Sequence, residues 1–330
     1  MNGKVTRSAI IVSLVVLLGL IAPPPPSAWA QFLRIELHSV ASTTLTDQQF
    51  LTGVTAGVPV TLTGELRIPR PGVDRLPAVV LLHGSGGISG GREAEWAREL
   101  NGVGVATLML DAFTGRQIVS TGDDQAQLGR LAMIVDAYRA LELLSRHPRI
   151  DPARIAVMGF SRGGQATLYA SLKRFQRMHG PRDVQFAAYL PFYANCGTTF
   201  VDDENVADRP IRLFHGAADN YVPIAPCRSY VARLRAAGKD LQLTEYAGAQ
   251  HVFDNPFLAT PVVLKQAQTT RGCLLEESPV GQIINSRTKQ PFGYDDPCVE
   301  RGPTIAYHPQ AHAEAQKAVK AFLTAAFRVQ

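Results

Sequence analysis

Apolar runs of strand length alternate with amphipathic stretches of helical length along most of this chain. That rhythm predicts an α/β architecture, a mostly parallel central sheet with helices on both faces. Phe32 to Val40 and Val58 to Ile68 alternate apolar and polar residues enough to suggest an antiparallel edge. Ala78 to Leu82 is continuously apolar, as suits a strand buried on both sides, and Val103 to Leu110 repeats the pattern before Asp111. Arg154 to Met158, Val184 to Phe192, Ile211 to His215 and Leu241 to Tyr246 read as further strands. Gln125 to Arg146 places Leu128, Leu131, Ile134, Val135, Tyr138 and Leu141 at helical spacing, predicting a long helix with one buried face. Ala225 to Ala237, ending at Gly238, and His312 to Phe327 are the other clear helices. Asn255 to Pro303 fits neither period and is rich in Gly, Pro, Thr and Asn. It reads as a loop-rich insertion, at about 255–303, in one domain spanning 31–330.

Residues 1–30 stand outside this rhythm. Lys4 and Arg7 precede an apolar stretch from Ser8 to Ala22, Pro23 to Pro26 end any helix, and Ala28-Trp29-Ala30 offers small residues before Gln31. The apolar stretch is short for a membrane span, so a cleaved signal peptide is expected rather than an anchor. The mature protein is then periplasmic or secreted, with no membrane attachment once the leader is gone. Its four cysteines, Cys196, Cys227, Cys273 and Cys298, permit three pairings in an oxidising compartment. The favoured one is Cys196–Cys227, tying two loops at one edge of the sheet, with Cys273–Cys298 closing a loop of about 25 residues. That second bridge would contribute roughly 3 kcal/mol by restricting the unfolded chain.

Composition narrows the partners. The formal charge of +5 includes Lys4 and Arg7 and is +3 without them, and the excess is scattered rather than gathered into a basic stripe. Nucleic acid is therefore not an expected partner. No C-x-x-C pair and no H-E-x-x-H motif occurs, and Pro309 separates His308 from His312, so neither a metal nor a cofactor is expected. The sequence carries no signal for an oligomeric state.

The chemistry concentrates in Gly159-Phe160-Ser161-Arg162-Gly163, a G-x-S-x-G run that follows a strand and opens a helix. In that setting the serine sits on a sharp turn with its Oγ above the sheet, and the flanking glycines let the backbone turn tightly. The Arg162 N–H, at the start of the helix, faces a developing anion. His83-Gly84-Ser85-Gly86-Gly87 follows a buried strand and can supply a second N–H, from Ser85 or alternatively Gly86. Asp219 closes His215-Gly216-Ala217-Ala218-Asp219 directly after a strand, and His251 lies on the loop after Leu241 to Tyr246. The chain order Ser161, Asp219, His251 provides a nucleophile, an orienting acid and a base. Of the other histidines, His83 and His215 end strands before glycine and are expected to shape loops. His38, His147 and His179 lie away from this site.

These motifs, with Asp111-Ala112-Phe113-Thr114-Gly115-Arg116 and Tyr246-Ala247-Gly248-Ala249-Gln250-His251-Val252-Phe253-Asp254, resemble the dienelactone hydrolase-like branch of the α/β-hydrolase superfamily. The resemblance runs from about Val58 to the C-terminus. It implies the α/β-hydrolase fold, a Ser161–Asp219–His251 triad, and a wall near the site from Asp111, Phe113 and Arg116, although Asp111 and Arg116 read equally well as a loop ion pair. The namesake enzymes carry cysteine at the nucleophile position and are shorter cytoplasmic proteins. The implied activity is hydrolysis of small-molecule carboxylic esters by a serine enzyme through an acyl-enzyme, with a serine peptidase or amidase as the alternative. A non-catalytic binding module on the same fold is a third possibility, from a different class.

Overall fold

In the computed structural model, which describes residues 2–3, 34–88, 91–258 and 260–329, the predicted strands assemble into one eight-stranded sheet. The expected leader beyond residue 3 and the start of the first predicted strand lie outside the described residues. The strands are β1 (Arg34–Thr44), β2 (Val58–Ile68), β3 (Leu76–Leu82), β4 (Ala106–Asp111), β5 (Ile150–Phe160), β6 (Ala188–Phe192), β8 (Ile211–Gly216) and β9 (Leu241–Tyr246), with a two-residue β7 (Thr198–Thr199) outside the sheet. Their order is β1-β2-β4-β3-β5-β6-β8-β9; β1 with β2 and β2 with β4 are antiparallel, and every other pair is parallel. The fold is that of an α/β hydrolase.

The all-apolar runs are explained by helices on both sides of the sheet. Along β3, Ala78, Val80 and Leu82 join a core with α3 (Ala132–Arg146), α4 (Arg162–Tyr169), α5 (Lys173–His179) and α6 (Ala225–Ala236). Val79 and Leu81 join the opposite core with α2 (Arg92–Gly102) and α7 (Pro309–Phe327). Successive strand residues point to opposite faces, so a strand sandwiched this way has no polar side. A short α1 (Asp47–Leu51) follows β1.

Several boundaries move for local reasons. The long predicted helix breaks: Gln125–Gln127 forms a 3-10 turn, and regular α3 begins at Ala132. The Gln125, Leu128 and Gly129 carbonyls here accept hydrogen bonds from the Arg162 guanidinium, which competes with a continuous helical ladder. The strand predicted from Val103 starts at Ala106 because Gly104 takes a left-handed turn at φ 81°. The closing helix starts earlier than expected, with Pro309 in its first turn and the His308 side chain accepting the Ala311 N–H.

The region 255–303 is not featureless. Val262–Val263 pairs with Thr304–Ile305, Gln268–Thr269 with Glu300–Arg301, and Leu275–Glu277 with both Ile283–Asn285 and β7. Disulfides join Cys196 to Cys227 and Cys273 to Cys298. Away from this region, His38 and His147 both reach the same Glu36 oxygen, at 2.9 and 3.1 Å. The His147 Nδ1 accepts the Arg149 amide, which puts the proton on Nε2, and the trio clasps β1 to the end of α3. Among the described residues, no helix is long and apolar enough to cross a membrane.

Candidate active site

Ser161 sits on the turn between β5 and α4 with φ 55° and ψ −112°, a conformation that disfavours a side chain and that the surroundings must enforce. They do so by close backbone packing. A Cβ on Gly159 would lie 2.2 Å from the Gly163 carbonyl, and one on Gly163 would lie 2.4 Å from the Leu82 carbonyl. The Ser161 N–H is held by the Phe192 carbonyl at 3.0 Å, which ties the turn to the end of β6.

Two loops from the far end of the sheet meet this serine. The His251 Nε2 lies 2.9 Å from Ser161 Oγ, and its Nδ1 lies 2.7 Å from Asp219 Oδ2. The other Asp219 oxygen accepts the Tyr221 and Val222 amides, both at 2.8 Å, so the carboxylate cannot rotate away. Burial alone would push the Asp219 carboxyl up, but the adjacent His251 and His215 hold it well below the usual carboxylate range. An ionised Asp219 requires a proton on His251 Nδ1, leaving Nε2 to accept from the serine hydroxyl. His251 and Asp219 are only 1% and 6% exposed, so this chain of hydrogen bonds is shielded from competing water.

The glycine loop after β3 lies against the serine: a Cβ on Gly84 would come 3.3 Å from Ser161 Cβ. Its turn is closed by the Gly87 amide donating to the Gly84 carbonyl, with Gly87 at φ 74°. Among the described residues, the N–H groups of Ser85, Gly86 and Arg162 have no hydrogen-bond partner.

His83 shapes this loop. The Ala112 N–H donates to its Nε2, which places the proton on Nδ1, and Nδ1–H donates to the Gly84 carbonyl at 2.8 Å. Burial holds the imidazole below its ordinary range, so folding favours the neutral form. Above the unfolded value of about 6.5, neither state binds the proton and the contribution is complete. As pH falls below that value the unfolded chain protonates first, and stability is lost until the folded value is reached. Urea denaturation from pH 8 to 5 is expected to show this loss. The decline should be shallower in a His83→Gln protein, and an equal slope would contradict it.

Asp111, Phe113 and Arg116 do not form the wall that the resemblance implies. Asp111 caps the following turn by accepting the Phe113 and Thr114 amides. Phe113 is fully buried with its ring edge-on to His83. Arg116 grips both oxygens of Asp136 on α3, at 2.8 and 2.9 Å, so it forms no ion pair with Asp111 either. The same guanidinium also donates to the Ala112 carbonyl and to Thr44 Oγ1 on β1.

Pattern reading missed several neighbours. The Tyr221 and Tyr193 rings flank His251 at 4.7 and 4.6 Å. The Tyr193 hydroxyl donates to buried Asp254 at 2.8 Å, the Trp96 indole N–H donates to the other Asp254 oxygen, and Arg92 donates to the Tyr193 hydroxyl. This network anchors the turn carrying His251. Of its members, Asp254 three residues beyond His251 was within the quoted motif, but its partners come from distant segments. His215 reaches Asp219 at 3.5 Å while its Nε2 is held 2.8 Å from the Val222 carbonyl.

Comparison with known proteins agrees with this architecture. The dienelactone hydrolase family model matches residues 65–272. A Klebsiella pneumoniae subsp. pneumoniae protein named for dienelactone hydrolase aligns with TM-score 0.58 at 14% identity, over 88% of this chain and 99% of its own. A dienelactone hydrolase-like promiscuous phosphotriesterase from metagenomic libraries aligns with TM-score 0.54 at 19% identity, over 88% and 98%. Esterase 2 of Thermogutta terrifontis, phosphoramylated by tabun, aligns with TM-score 0.50 at 19% identity, over 72% and 92%. At these identities the neighbours speak to the fold, whereas the matched span carries the glycine loop, the serine elbow, Asp219 and His251. This chain therefore belongs to the dienelactone hydrolase family.

Proposed function

We propose that this protein is an exported serine hydrolase that cleaves carboxylic esters through an acyl-enzyme. The observation that carries the reading is the unbroken hydrogen-bonded line from Ser161 Oγ through His251 to Asp219. As Oγ attacks the ester carbonyl, His251 Nε2 takes its proton, and Asp219 stabilises the imidazolium. The carbonyl oxygen becomes an oxyanion that accepts from the N–H groups of Arg162 and Ser85, which are unpartnered and preorganised. His251 then protonates the departing alcohol, and water, activated by the same imidazole, releases the acid. Tyr221 and Tyr193 limit the ring motion of His251 through both steps. Two disulfides are compatible with an extracellular location, in line with the leader-like residues 1–30.

A fluorophosphonate probe and a paired assay test this reading. Ser161 is expected to label in folded protein, with turnover of 4-nitrophenyl acyl esters well above that of matched peptide anilides. Turnover confined to anilides would make the protein an amidase. No labelling and no turnover would leave a binding module.

A further inference from the structure

Glu36, His38 and His147 bring two imidazole nitrogens and a carboxylate oxygen within 4.8 Å of one another. No C-x-x-C or H-E-x-x-H run announces this trio, because it joins a strand to a helix end 111 positions away. Glu36 and His38 are two apart on β1, so their side chains leave the same face of the strand. Farther along that face Val40 and Ser42 are buried, and Ser42 donates to Asp136 of α3 at 2.6 Å. The face therefore packs against α3, and His147, the C-cap of that helix, closes over Glu36 and His38.

Both imidazoles reach the same oxygen, Glu36 Oε2, through Nε2, at 2.9 and 3.1 Å. A tetrahedral zinc ion with bonds of about 2.05 Å holds its ligand atoms about 3.3 Å apart. An ion between the three atoms thus needs Oε2 to part from each nitrogen by only a few tenths of an ångström. The Glu36, His38 and His147 side chains are 14%, 24% and 10% exposed, which gives an ion an entry and water the fourth position. Arg34 meets the other Glu36 oxygen at 2.7 Å and leaves Oε2 to the imidazoles. Nitrogen ligands favour zinc over calcium or magnesium, which prefer oxygen.

We propose that Glu36, His38 and His147 form a zinc site that fastens the edge strand β1 to the end of α3. The protons balance as follows. A neutral ring that donates from Nε2 carries its proton on Nδ1 once Nε2 holds the metal, so neutral rings release none. For His147 this ends the 3.2 Å hydrogen bond from the Arg149 amide to Nδ1. That bond lies at the long end of the normal range, and its loss, with three protein ligands rather than four, sets a micromolar affinity. None of these residues lines the two pockets that share Ser161, so zinc binding and ester turnover are separable.

Calorimetric titration of the chelator-treated protein with zinc chloride is expected to show one ion bound with a Kd of about 1–30 µM. At about 200 µM zinc the Tm should rise by about 3 °C or more, because the site exists only in the folded chain. His38→Ala and His147→Ala should each weaken binding by about tenfold or more and remove the Tm shift. Calcium chloride at the same concentration should produce neither effect. No zinc bound at that concentration, equal binding of calcium, or unchanged zinc affinity in the double variant would overturn the proposal. Should the variants not fold, wild-type crystals soaked in zinc chloride decide. An anomalous peak is expected about 2.1 Å from Glu36 Oε2 and both Nε2 atoms. Zinc peaks elsewhere with none at this trio count against the site.

Discussion

Replacing Ser161 by alanine is expected to lower kcat for ester hydrolysis by roughly four to six orders of magnitude, with the fold retained. The size follows from the division of labour at the site. In the proposed mechanism the hydroxyl supplies the electron pair that forms the acyl-enzyme, and no neighbouring group within the hydrogen-bonded line can replace it. His251→Ala should cost a similar amount, and the double variant hardly more, because the two side chains act as one unit. The fold should survive because, among the described residues, the Ser161 hydroxyl hydrogen-bonds His251 alone, while the turn is held by backbone contacts that alanine keeps. Residual activity would then report the amide donors of Arg162 and Ser85 acting on bound ester. A Ser161→Ala protein, of unchanged melting temperature, that kept turnover within about a hundredfold of the wild type would end the acyl-enzyme mechanism.

Gly163→Ala is expected to lower stability by about 3 kcal/mol, seen as a fall in Tm of roughly 5–10 °C or as loss of soluble protein. The added methyl carbon would sit 2.4 Å from the Leu82 carbonyl and 2.5 Å from that of His83. Those atoms belong to the end of β3 and its loop, and moving them would shift the glycine loop that faces Ser161. Backbone atoms of a central strand cannot swing aside as a side-chain tip can. Gly102→Ala is the control, because nothing lies within 4 Å of a Cβ there, at the last turn of α2. That change should be neutral or stabilising by up to about 1 kcal/mol. If both variants melted together near the wild-type temperature, close packing of the elbow against β3 would not be what holds Ser161 at its positive φ.

Much of the fold was legible because burial on two faces leaves a plain mark. Ala78 to Leu82 could only be a central strand, and the observed strand adds just Leu76 and Pro77. The break before α3 was not legible, because Leu128 and Leu131 fit a helical face whether or not the backbone between them is helical. What decides it is a guanidinium from Arg162, far along the chain, competing for those carbonyls. The Asp111 to Arg116 stretch misled for the same reason: a cation near a site in sequence gives no information on which carboxylate lies closer in space. Asp136, on a helix face that otherwise reads as apolar, captured it.

By itself the sequence determined the alternation of strands and helices, the strand–turn–helix setting of Ser161, and the positions of Asp219 and His251 on loops after successive strands. These are local properties: side-chain period, glycine where the backbone must turn, and polar residues at strand ends. Only the tertiary structure decided which groups touch. It brought His251 within 2.9 Å of Ser161 and set Tyr193 and Tyr221 around it. Contacts between residues a hundred positions apart depend on how helices stack across the sheet, and that stacking is settled by the summed packing of the whole core rather than by any one segment.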